Sequence, residues 1–207
     1  MLASLIAQKY HGQRCAVVAL GDGGAMVGAQ IAQELHCALT LLVTGEITLP
    51  RENDPIAGIT QGGAMSYNHR YSQGEIDEQL SEYYSFVEQE KLLQMHQMNA
   101  LITGDGTIDK RLLTDHNIIL VSDGLRSGFP IDLAYEFLKP IALKKLIVAA
   151  PFASVQAVDR MHVLADDLYC LSVIEDYIDT DHYYDTQDVP NHDVVLKTIE
   201  HLVHDWK

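Results

Sequence analysis

The sequence predicts an α/β protein built on a mostly parallel sheet flanked by helices. Three observations carry that expectation. Short, almost wholly apolar runs recur along the chain, as strands buried on both faces require. Most of these runs are separated by segments with helical spacing of apolar residues, or with helix-opening signals such as Pro130 and Ser154. Parallel strands also need long crossovers, which are right-handed and lay their helices over the sheet.

Taken in order, "MLASLIAQKYHGQRC" reads as an amphipathic first helix, lacking the basic segment that precedes the apolar stretch of a secretory signal. "CAVVAL", 15–20, is a buried strand, and Gly21, Asp22, Gly23 and Gly24 form a glycine-rich loop into the helix "AMVGAQIAQELH". "ALTLLV", 38–43, is a second strand, followed by "TGEITLPRENDP", a polar loop with turn residues and no periodicity. Residues 59–71 suggest short strands about Gly62 and Gly63, a flap or hairpin. Residues 75–98 predict one long helix with an apolar stripe of Leu80, Tyr83, Tyr84, Val87, Leu92, Met95 and Met98, suited to core or subunit contact.

The run from Ile118 is the next strand, and the helix opened by Pro130 should end near Lys139 and Pro140. "KKLIVAAP", 144–151, is a strand; "SVQAVDRMHVLA" is a helix with Ser154 as N-cap; "DLYCLSV", 167–173, is the last core strand. "HDVVLKTIEHLVHDWK" closes the chain as an amphipathic helix with Asp193 near its start. The expected organisation is one domain, 1–207, with a flap at 59–71 and an acidic-aromatic loop at 174–193.

With 207 residues, 47% apolar and 21% charged, the chain has the composition of a folded globular protein. Apolar runs such as Leu39 to Val43 fall short of the roughly 20 residues that span a bilayer, so no membrane partner and a cytoplasmic location are expected. Cys15, Cys37 and Cys170 have no CxxC spacing and read as buried, reduced thiols. The net charge of −15 opposes nonspecific nucleic acid binding, and opposes any polyphosphate that arrives without a metal ion. His69, His96, His162, His182, His201 and His204 make no HExxH; the glycines at 21, 23, 24 and 28 make no GxGxxG; "GLRSG" is not GxSxG. Neither a zinc enzyme, a Rossmann oxidoreductase nor a serine hydrolase is supported.

In a parallel sheet, ligands gather at the carboxyl ends of the strands, which here means loops 21–24, 44–55, 122–129 and 174–190. The loop Ser122, Asp123, Gly124, Leu125, Arg126, Ser127, Gly128 and Phe129 is the most informative. Its glycines allow a backbone tight enough to wrap an anion; Arg126 adds a cation, Ser127 a hydroxyl, and the following helix its positive end. Those parts suit a phosphate monoester, although Asp132 in the first helical turn detracts. A structural account, with Asp123 capping a turn and Ser127 a helix start, fits the same residues. Residues 174–193 hold seven carboxylates, three tyrosines and two histidines. That chemistry would serve a divalent metal, base stacking by Tyr177, Tyr183 and Tyr184, or a solvated acidic loop.

The order of these segments resembles the type I phosphoribosyltransferases, most closely the bacterial branch whose phosphoribosyl-pyrophosphate (PRPP) loop reads like "VDDGLATGAT". The resemblance covers nearly the whole chain, with Ala16 to Leu35 similar to the first strand, pyrophosphate loop and helix, and "APFASVQAVDRMHVLADDLYCL" similar to a later strand-helix-strand. It implies a fold of that type, Asp123 gripping ribose hydroxyls directly or through Mg2+, and Gly124 to Phe129 around a 5-phosphate. It also implies Gly21 to Gly24 as the pyrophosphate loop, and Tyr177, Tyr183 and Tyr184 beside a base. Ser127 stands where the branch has a threonine, Ser122 where it has the first acid of a pair, and Pro130 where it has a final threonine. Asp22 occupies a place usually basic, and Gly45-Glu46 one that is often Arg-Lys. Turning a cation into an anion about 4 Å from a phosphate changes the interaction by roughly twice 4 kcal/mol at an effective dielectric near 20, before solvent screening. The expected function is binding of a phosphorylated sugar or nucleotide, with PRPP transfer weakened or lost. The alternatives are a working transferase, and a noncatalytic regulatory or scaffold homologue using helix 75–98 as a homodimer contact.

Overall fold

A computed structural model describes residues 1–101, 108, 110–186 and 189–204. Gln187 and Asp188 of the acidic segment and residues 205–207 of the predicted closing helix lie outside the described residues, as does the side chain of His204. The chain divides into two compact units, Met1–Leu42 with Ile108–Lys207, and Val43–Thr107.

The first unit begins with α1 (Leu2–Tyr10), β1 (Cys15–Leu20), α2 (Gly21–Leu35) and β2 (Ala38–Leu42). The second holds β3 (Thr44–Ile47), β4 (Ala57–Thr60), β5 (Met65–Tyr67), α3 (Gln73–Glu82) and α4 (Tyr84–Leu101). The chain then completes the first with β6 (Asn117–Val121), α5 (Phe129–Leu138), β7 (Lys145–Ser154), α6 (Val155–Leu164), β8 (Asp167–Ile174) and α7 (His192–His204).

The first unit is the predicted α/β layout: a parallel five-stranded sheet in the order β2-β1-β6-β7-β8, flanked by helices. Every residue of β1 and of β6 is buried, which is why both read as unbroken apolar runs. Alternate side chains serve opposite faces. Val18, Ile118 and Leu120 join Ile131, Leu138 and Met161 of α5 and α6 in one core. Val17, Ile119 and Ile147 join Ile6, Tyr10, Ile31 and Val195 of α1, α2 and α7 in the other. Burying each such side chain contributes about 1.5–3 kcal/mol. From β1 the chain steps outward to β2, and β6 pairs on the opposite side of β1, so the strand order reverses between β1 and β6. Such a reversal opens a crevice beyond the carboxyl ends of the two strands.

The second unit is a three-stranded antiparallel sheet, β3-β4-β5, with Ile47, Ile56, Ile59, Val87 and Met98 in its core. Two expectations are corrected here. Residues 44–47, read as loop, form β3: Gly45 and Ile47 are buried, and a four-residue strand is too short for a two-residue period to stand out. The single helix over 75–98 is two, broken at Tyr83. The first opens on a capping box in which Ser72 and Glu75 satisfy each other's backbone amides. Because the break resets the helical phase, Val87 and Met98 are buried while Tyr84 and Leu92 of the expected stripe are 66% and 65% exposed. Residues 59–71 contain the end of β4, the turn at Gly62-Gly63 and β5, and β4 and β5 pair as an antiparallel hairpin.

Candidate ligand site at the β1–β6 crevice

Residues Gly21 to Gly24 are not a loop. Gly21 has φ +68°, a left-handed conformation that turns the chain from β1 into α2 in one residue. Asp22 therefore lies in the first helical turn, where the positive end of α2 favours its carboxylate. His192 at the start of α7 holds it, Nδ1 donating to Oδ1 across 2.7 Å. The missing side chains of Gly23 and Gly24 let α2 descend onto the end of β6. A Cβ on Gly23 would overlap Oδ2 of Asp123, and one on Gly24 would lie 2.9 Å from the Val121 carbonyl oxygen.

Beyond β6, Ser122 is buried, and its hydroxyl donates to the Gly124 carbonyl at 2.8 Å while accepting from the Gly124 amide at 3.3 Å. Ser122 therefore stiffens the turn. Leu125 is stitched to the extended end of β7: its amide donates to the Phe152 carbonyl, and the Ser154 amide donates to the Leu125 carbonyl. Leu125 and Phe129 are each 2% exposed and serve as apolar anchors at the two ends of the turn. Between them Arg126 is exposed and makes no ion pair among the described residues. The amides of Arg126, Ser127 and Gly128, like the Ser127 hydroxyl, have no protein partner among the described residues. They stand at the start of α5, with Gly128 as N-cap residue and Pro130 in the first turn. Asp132 is answered by Arg160, whose Nε donates to Oδ1 at 2.5 Å and whose stem crowds the space beside Gly128.

The acidic-aromatic segment following β8 folds back over this turn. The Tyr184 hydroxyl donates to the Asp123 carbonyl at 2.8 Å. The Tyr177 hydroxyl and Thr180 share a 3.0 Å hydrogen bond and stand within 2.7 Å of where a Gly124 Cβ would be. Tyr183 and Tyr184 lie against Phe152 with ring centroids 5.6 and 5.4 Å away, and Tyr177 lies 5.1 Å from Tyr183. The three tyrosines named for base stacking thus come together at the turn, Tyr183 and Tyr184 against Phe152 and Tyr177 against Tyr183.

Asp123 and Tyr184, with Gly23, Met26, Val27, Asp181 and neighbouring residues, line a cavity of about 190 Å³. Its described lining is mainly apolar and includes two carboxylates and no lysine, arginine or histidine. Burial pushes the Asp123 pKa above the ordinary carboxylate value and the Asp181 charge adds to this, against hydrogen bonds from Ser122 and nearby backbone amides. Burial, followed by the Asp123 charge, takes the Tyr184 hydroxyl up to about 12, so it remains a donor. No three His, Cys, Asp or Glu side chains among the described residues converge as a metal centre. This donor set does not by itself fit Mg2+. Asp123 would give one carboxylate to an ion whose other ligands came from water and phosphates.

Glu46, named beside Asp22 in the charge reversal, is an exposed residue of β3 in the second unit. Sequence reading missed His192, Arg160, Asp181, Thr180 and Phe152. Only the Asp132 charge, which needed a buried partner, was a signal for any of them.

The solved structure of TT1426 from Thermus thermophilus is similar over 96% of this chain and 95% of its own, with 22% identity and a TM-score of 0.70. That likeness is one of fold. APRTase from Giardia lamblia, complexed with 9-deazaadenine, matches 84% of this chain and 78% of its own at 13% identity and a TM-score of 0.49. A hypoxanthine phosphoribosyltransferase from Staphylococcus aureus matches 84% and 70% at 13% identity and 0.48. Scores at that level do not bear on function. No protein-family model and no curated protein sequence matches the chain.

Proposed function

We propose that this phosphoribosyltransferase-like chain binds a small molecule bearing one phosphate, such as a ribose 5-phosphate or a nucleoside monophosphate, and that PRPP transfer is lost. The observation that carries the reading is the set of amides at Arg126, Ser127 and Gly128 that have no partner among the described residues, with the Arg126 guanidinium and the Ser127 hydroxyl beside them. Backbone amides converging at a helix start recognise a phosphate whatever the side chains are, and an adjacent guanidinium strengthens the hold. Arg160 supports this by neutralising Asp132 within the first turn of the same helix.

Loss of transfer is supported by the other half of the crevice. Asp22 places the chain's own carboxylate at the positive end of α2, where the resemblance would seat pyrophosphate. Asp123 and Asp181 add two more carboxylates around the cavity. A diphosphate would meet repulsion there, and any Mg2+ would have to enter with the ligand.

Thermal unfolding with ribose 5-phosphate, a nucleoside monophosphate, and PRPP with Mg2+ tests this. A monophosphate at 100 times its dissociation constant should stabilise the protein by about 2.7 kcal/mol, and PRPP should do no better with Mg2+ than without. Stabilisation specific to PRPP with Mg2+, with pyrophosphate released when a purine or pyrimidine base is added, would establish a working transferase instead.

A further inference from the structure

Residues 175–186 fold over the turn at Gly124, with Tyr177 and Thr180 standing where a Gly124 side chain would be. We infer that this segment is an autoinhibitory strap, which must lift from Gly124 before the site can fill. The inference rests on the phosphate reading above, but its geometry is separate from the open amides. Tyr177 and Thr180 fill the space above the Gly124 backbone, and Tyr184 ties the strap to the turn by bonding the Asp123 carbonyl. A ligand reaching from the amides at 126–128 toward the Asp123 carboxylate crosses this ground and must displace those side chains.

The strap is built to leave as one piece. Its internal bonds survive lifting: His182 amide to Asp179 carboxylate, Ile178 amide to Tyr183 hydroxyl, and Tyr183 hydroxyl to Asp176 carbonyl. Among the described residues, the Tyr184 bond, the ring contacts of Tyr183 and Tyr184 with Phe152, and the packing of Tyr177 and Thr180 on Gly124 hold it down. Opposing these is the repulsion between Asp181 on the strap and Asp123 beneath it. Glu175, Asp176, Asp179 and Asp185 add four more carboxylates to the strap, so an arriving phosphate further disfavours the closed position. A contact of a few weak bonds opposed by like charges is one that a ligand can reverse.

The test is amide hydrogen exchange across 175–186, with and without saturating ribose 5-phosphate, on the intact chain and on Tyr184→Phe. Phenylalanine keeps the ring that a stacking role would need and removes only the bond to the turn. The strap should exchange faster when ribose 5-phosphate binds, and Tyr184→Phe should bind that probe about 5-fold tighter, the equivalent of one ordinary hydrogen bond. Binding with unchanged or slower exchange in the strap, or no gain in Tyr184→Phe, would overturn the strap and leave the phosphate reading standing. Binding to neither protein would bring down the phosphate reading, and the strap with it.

Discussion

Asp123 meets three parts of the crevice: its carboxylate abuts Gly23, its carbonyl accepts from Tyr184, and it shares the cavity with Asp181. Its pKa is raised on folding, so ionisation is less favourable in the native state than in the unfolded chain. The ionised form costs stability at neutral pH, and that cost disappears as the pH falls below the unfolded-state value. Asp123→Asn is accordingly expected to raise the urea midpoint at pH 7, with the gain fading in acid. An equal gain at pH 7 and pH 3 would mean that burial of charge is not the cause. The residue identities at this loop were legible in the sequence, where Gly124, Arg126 and Ser127 already suggested an anion cradle. Their partners were not, because His192 lies 170 residues from Asp22 and Tyr184 lies 61 from Asp123, beyond the reach of any local pattern.

Elements show the same division. The central strands β1, β6 and β7 were visible because burial on two faces leaves a continuous apolar run, whereas the edge strands β2 and β8 are apolar but only partly buried; Ser154 does accept from the Ala157 amide as an N-cap. The start of α2 was misread because four glycine and aspartate residues suggest a loop, whereas one left-handed glycine and two close contacts make them a helical turn. Those contacts also set the mutational cost. Gly24→Ala should gain up to about 1 kcal/mol of helix propensity yet lose about 1–3 kcal/mol by forcing α2 away from the Val121 carbonyl. Destabilisation in chemical unfolding is therefore expected, and net stabilisation would show that α2 can move off β6 freely. The break at Tyr83 escaped notice for a different reason: helical residues continue on both sides, and only packing selects the phase.

For the whole molecule, the net charge of −15 sets the conditions under which everything else operates. Self-repulsion disfavours the compact state, and added salt screens it, with a Debye length of about 10 Å at 0.1 M. The unfolding temperature should rise between roughly 20 mM and 300 mM NaCl, and a fall would imply that attractive ion pairs outweigh the repulsion. What the sequence determined by itself was the α/β class, the positions of the core strands and which residue types populate the loop after β6. Each of these is written in runs of neighbouring residues. Tertiary structure alone decided that α2 presents its own carboxylate, that β1 and β6 flank the crevice, and that an acidic tyrosine segment folds over it. Those outcomes depend on contacts between residues far apart in the chain, whose energies exist only after the sheet has brought them together.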